Sequence, residues 1–101
     1  MRILLAALAA VVLAAPPPAF AAGDAAFGRD LAVTWCSSCH LTDGGGASRD
    51  DIRPMQMLAR DPAVTPERLR AFLVKPHGRM PELILTAQEI EHLIAYIQSL
   101  K

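Results

Sequence analysis

The chain has only two cysteines, and they stand three apart with a histidine directly behind the second: "CSSCH", Cys36 to His40. This stretch constrains the fold because little else in the chain can stabilise one. Met1-Arg2 is a short positive start, and Ile3 to Ala15 is an unbroken run of Ile, Leu, Ala and Val. Pro16-Pro17-Pro18 stops any helix, and Ala19-Phe20-Ala21 offers small residues at both positions a signal peptidase reads. We read residues 1–21 as a secretory signal peptide and 22–101 as one domain. The apolar run is well short of the roughly 20 residues that span a bilayer; the alternative is an uncleaved membrane anchor, and after cleavage no stable membrane insertion is expected.

The remaining chain, about 80 residues, is small enough that its own apolar core gives marginal stability. The 52% hydrophobic content overstates that core, because the leader inflates it. Small exported domains add disulfides, a metal or a cofactor, and at most one disulfide is available here. Ten basic and ten acidic residues balance, and Arg2 leaves with the leader. A nucleic-acid binder needs a basic stripe, and none is present.

The coarse pattern is all-α. A first helix is expected from Asp24, a good N-cap, to about Cys39, with Phe27, Leu31 and Trp35 on one apolar stripe. Gly28 interrupts it where alanine would be preferred, which implies close approach by another segment. Leu41 to Asp51, with Gly44-Gly45-Gly46, reads as a flexible connector. A short helix within Ile52–Arg60 is either broken internally or started at Pro54. Thr65-Pro66 starts another, carrying Leu69, Phe72 and Leu73, and Pro76 ends it. The segment from His77 to Leu85 is irregular. Thr86-Ala87-Gln88-Glu89 is a capping box. It opens a last helix with Ile90, Leu93, Ile94, Ile97 and Leu100 on one face.

Against this pattern the cysteine pair can be assigned. A structural zinc site needs four ligands, and no second Cys or His pair completes one. A redox dithiol belongs to a strand–helix frame, which is absent. A disulfide across two residues constrains little of the unfolded chain. C-x-x-C-H is also the attachment pattern of c-type haem: one helical turn presents Cys36 and Cys39 to the two vinyl groups, and His40 to the iron. Export and the absence of other cysteines agree with this.

For the second axial position the candidates are Met55, Met57, His77, Met80 and His92, or an open site. Met55 and Met57 fit core filling, and His92 fits a solvated position beside Glu91. Met80 leads, because Pro81 holds it in extended geometry in an irregular segment. His77 is its rival there.

At this point the chain resembles the class I cytochromes c in their small, bacterial periplasmic form. The stretches "GRDLAVTWCSSCH", "PHGRMP" and "EIEHLIAYIQSL" carry the likeness. The resemblance implies three to four helices wrapped around one covalently bound haem c, with the N- and C-terminal helices crossing. Gly28, eight residues before Cys36, matches the family's crossing glycine, and Leu93 and Tyr96 match the pair packed against it. Met80 matches the axial ligand. The sequence departs from the family in two places. Ala32 stands where an aromatic is common, so Phe27 or Trp35 is expected to fill that space. No proline lies between His40 and Pro54 to present a carbonyl to the imidazole.

The resemblance implies a non-enzymatic, periplasmic electron carrier working between redox proteins, a dehydrogenase as donor and an oxidase or another cytochrome as acceptor. His40 and Met80 would close both axial sites. Trp35, Ile52, Leu58, Phe72, Leu73, Leu83 and Leu85 are expected to wall the haem, and Lys75, His77 and Arg79 to form a mildly basic docking rim. The alternatives are a haem subunit held tightly by a periplasmic dehydrogenase, and a sensor or enzyme with a displaceable sixth ligand.

Overall fold

The structure, a computed structural model, describes residues 13–14, 22–48, 50–75, 80 and 83–101. Four helices and no strand occur among them: α1 (Ala25–Trp35), α2 (Met55–Arg60), α3 (Pro66–Val74) and α4 (Ala87–Ser99). Each start has a local cause. Asp24 caps α1 by accepting from the amides of Ala26 and Phe27. Thr65 caps α3, and Pro66 opens it with φ already suited to a helix. At α4 both halves of the Thr86/Glu89 capping box are made. The short helix starts after Pro54, the second of the two options that the sequence leaves open.

The core forms around α4, which meets α1, α2 and α3 in turn. Ile90, Leu93, Ile94, Tyr96 and Ile97 from α4 are buried, and Leu100 packs against them. Gly28 is where α1 crosses α4. A Cβ built there would lie 1.9 Å from the His92 carbonyl oxygen and 2.7 Å from the Tyr96 Cβ. Gly23 meets the Glu91 carbonyl oxygen in the same way, at 1.9 Å. The close crossing expected from the sequence is present, with Leu93 and Tyr96 at only 2% exposure against it.

Several expectations are corrected. Helix α1 ends at Trp35, and turns rather than helix continue to Cys39. Its innermost face is Gly28, Ala32 and Cys36; of the expected stripe, Leu31 is half-buried and packs against the core, while Phe27 and Trp35 are exposed. The reason is that the crossing needs the smallest residues innermost, which rotates the aromatics outward. Phe27 is exposed and stacks on the ring of His92, with centroids 5.3 Å apart. No aromatic of α1 fills the space beside Ala32, which is itself fully buried. On α3, Leu69 and Leu73 face the core, while Phe72 lies outside it. That helix ends at Val74, and Pro76 lies outside the described residues.

The glycine-rich loop is not a loose connector. Thr42 and Gly45 exchange backbone hydrogen bonds of 2.9 and 3.2 Å. The Thr42 hydroxyl donates to the Gly45 carbonyl and accepts from the Gly44 amide. Gly46, at φ +124°, lies against the carbonyls of Ser37 and His40, and Ala47 donates to Ser37 at 2.8 Å. A Cβ on Gly46 would sit 2.7 Å from the Ser37 oxygen, so glycine is required by both conformation and space. The loop is thus bonded to the backbone of the cysteine turn.

Candidate functional site

The last residues of α1 lead directly into the site. The Cys36 amide donates to Ala32, and the amides of Cys39 and His40 both donate to the Cys36 carbonyl, at 3.1 and 2.8 Å. The "CSSCH" stretch is therefore one more turn after the helix. It projects from the crossing that α1 and α4 make. Cys36 falls in line with Gly28 and Ala32 and is buried, while Cys39 is half-buried. Burial, and then the neighbouring Cys39, push the Cys36 thiol up to about 11. A redox-active dithiol needs the opposite, a thiolate stabilised near neutral pH. The environment thus agrees with setting aside that reading.

His40 is half-buried, and its Nδ1 lies 2.7 Å from the Arg53 carbonyl oxygen. A carbonyl can only accept, so Nδ1 carries a proton, and in the neutral ring Nε2 keeps a lone pair for a ligand. The missing proline carbonyl is thus supplied by Arg53, the residue before Pro54. One residue on, the Met55 amide donates to the Leu41 carbonyl at 2.9 Å. These two bonds tie the segment after the cysteines to the start of α2.

The other candidate ligands are placed differently. Met80 is half-buried and packs against the core. His77, and with it Gly78, Arg79 and Pro81, lies outside the described residues. So does most of the basic rim, of which only Lys75 is described, and exposed. Met55 is buried in the core as expected, but Met57 is not a core filler: it is 57% exposed. His92 is not a solvated side chain. Its Nδ1 accepts from the Asp24 amide at 2.8 Å while Phe27 covers its face. Its role is to hold the start of α1 on α4.

The expected haem wall divides in two. Leu73 is buried in the protein core. Ile52, Leu58, Leu83 and Leu85 are half-buried, and Trp35 and Phe72 are exposed. Val33, Val74 and Ile84 are exposed as well. A bound group can cover these side chains, whereas apolar residues exposed singly need no such cover.

One network was missed from the sequence. The Tyr96 hydroxyl donates to the Asp43 carboxylate, and the Asp43 amide donates back to the Tyr96 oxygen at 3.2 Å. Arg29 completes it with Nε 3.2 Å from the same carboxylate. It joins α1, the glycine loop and α4. Residues so far apart in sequence leave no periodic signal. Burial, and then the bond to Asp43, raise the Tyr96 phenol above its ordinary value. Below the unfolded-state pKa of about 10 both states hold the proton, and the stabilisation is complete. Above it the unfolded chain ionises first, so stability should fall as pH rises. In urea titrations from pH 7 to 11, Tyr96→Phe should be less stable by about 1 kcal/mol at pH 7. It should also lose part of the alkaline decline.

A turn offering two thiols and an imidazole with a free Nε2, beside uncovered apolar surface, fits a covalently held haem. The family described as "Cytochrome C oxidase, cbb3-type, subunit III" matches residues 23–97. The chain belongs to this family of c-type cytochromes, and is a small monohaem member with an all-α fold. It is also 41% identical, over 81 residues, to cytochrome c-552 of Bradyrhizobium diazoefficiens; the alignment covers 79% of this chain and 78% of that protein. No solved structure matches it. Family membership brings covalently bound haem c with its iron, and a role in electron transfer with redox proteins as partners. Members of this kind are in general carriers rather than enzymes.

Proposed function

We propose that this protein is a periplasmic carrier of single electrons, with its haem held by Cys36, Cys39, His40 and Met80. The observation that carries this reading is the His40 ring: one nitrogen is committed to Arg53, and the other is left for a metal. When bound, the haem supplies an Fe(II)/Fe(III) couple.

The residues divide the remaining work. The thiols of Cys36 and Cys39 would hold the haem covalently at the end of α1. Nε2 of His40 would be one ligand to the iron. Met80 would supply a thioether, a softer donor that would favour Fe(II) and raise the potential. Trp35, Leu58, Phe72, Leu83 and Leu85 supply apolar surface that keeps water out. A low dielectric disfavours the oxidised state's extra charge and raises the potential further. If His40 and Met80 remained ligands in both oxidation states, little rearrangement would accompany transfer.

Residues 1–21 are the export signal in this reading, and 22–101 the working domain. Among the described residues no helix is long and apolar enough to cross a membrane. The partners are a periplasmic dehydrogenase on the donor side and an oxidase or another cytochrome on the acceptor side. The family's description as an oxidase subunit favours a second reading, in which the domain is held tightly by a larger redox enzyme. Comigration with such an enzyme on a sizing column supports that reading; elution as a free small protein supports the carrier.

The test of the haem site uses protein exported from a host that attaches c-type haem. Reduced and oxidised spectra should be those of a six-coordinate haem, and the colour should stay with the chain on a denaturing gel. The double variant Cys36→Ala, Cys39→Ala should lose that retained haem completely. A colourless wild-type protein with two titratable thiols overturns the reading.

A further inference from the structure

We propose that Asp61 is a positioning residue for His40, acting through the Arg53 side chain on the carbonyl that holds the imidazole. This rests on the reading of His40 as an iron ligand. Arg53 lies just before α2 and Asp61 just after it. The Arg53 Nη1 donates to Asp61 Oδ2 at 2.8 Å, so the pair straps the helix end to end. Asp61 is anchored in turn: its Oδ1 accepts from the Ala63 amide at 2.9 Å, and its own amide donates to the Leu58 carbonyl. Those bonds, first the one from Ala63 and then the one from Arg53, hold its carboxyl below the usual range.

The strap matters because, beyond the burial of Met55 and Ala59 against α4, α2 has little local support of its own. It has six residues, and Pro54 supplies no side-chain cap. A helix of that length does not sustain itself. The carbonyl that accepts from His40 sits at its entry, where fraying begins. The Arg53 side chain is 52% exposed and that of Asp61 33%. Such an exposed pair adds little to global stability, so what it provides is direction. A well-aimed acceptor on Nδ1–H makes Nε2 a stronger donor and favours Fe(III); a slack one favours Fe(II).

Charge alone makes a different forecast, and two variants separate them. In the holoprotein, Asp61→Asn removes a negative charge and Arg53→Met removes a positive one. If the pair acts only as charges, the two variants shift the midpoint potential in opposite directions. If it positions the carbonyl, both raise it. Loss of an outer-shell partner weakens metal binding roughly 10-fold or more, so slackening one should raise the ferrous-to-ferric ratio at the wild-type midpoint about threefold. The His40 Nδ1 proton should also exchange faster with solvent in both variants. Asp61→Glu, which keeps the pair, should restore both readings. Shifts of opposite sign, unchanged potentials, or failure of that rescue overturn the proposal. A ferric wild type whose His40 ring signals show no shift from the iron overturns the ligand assignment instead, so the two failures are distinguishable.

Discussion

Gly28→Ala should destabilise the domain by about 3 kcal/mol or more, through a single methyl group. The added Cβ would stand 1.9 Å from the His92 carbonyl oxygen and 2.5 Å from its carbon. Both are backbone atoms inside α4, so no side chain can swing away to make room. The remaining option is to separate α1 from α4, which opens the space around Ala32, Leu93 and Tyr96. Alanine is the better helix former by about 1 kcal/mol, and that gain is too small to offset the clash. Small domains have only about 5–15 kcal/mol in total, so the loss should be plain in a urea or thermal melt of the holoprotein. A melt within 0.5 kcal/mol of wild type would show that the helices do not approach this closely.

Met80→Ala should lower the midpoint potential by on the order of 0.2 V, a moderate share of the roughly 0.8 V over which axial ligands tune haem. Loss of the thioether removes the preference for Fe(II), and water at the vacated position stabilises Fe(III). The reduced variant should bind carbon monoxide, and the reduced wild type should not. Unchanged spectra and potential would move the ligand assignment to another residue, with His77 next in line. Carbon monoxide binding by untreated wild type would instead favour the sensor reading.

The fold was legible where its causes are local. The Thr86 capping box, the Thr65-Pro66 start and the Asp24 cap each act within one turn, and each is present. The apolar face of α4 was legible because Ile90, Leu93, Ile94 and Ile97, all buried, repeat at helical spacing with half-buried Leu100. The stripe on α1 misled for a physical reason. Hydrophobicity points to Phe27, Leu31 and Trp35, but the closeness of the crossing, set by Gly28, brings the smallest face inward. Composition likewise made Gly44-Gly45-Gly46 look slack, although the same glycines permit the tight contact with Ser37 and His40. The reading of "CSSCH" as a haem attachment stretch comes from its spacing, which also wrongly extended α1 to Cys39. The supports of that stretch were not legible, because Arg53, Asp61, Asp43 and Tyr96 act on the site from other segments. One signal was available for the first of them: a residue before proline is extended, and its carbonyl is not committed to a helix.

The central place of α4 has a consequence for how the molecule comes into being. The last of the four helices along the chain is the wall on which the other three lean. Ala32, Met55 and Leu69 acquire their shared apolar surroundings only when it docks. A chain cut before Thr86 would therefore lack the surface that brings the other three helices together, and it should not hold their native packing.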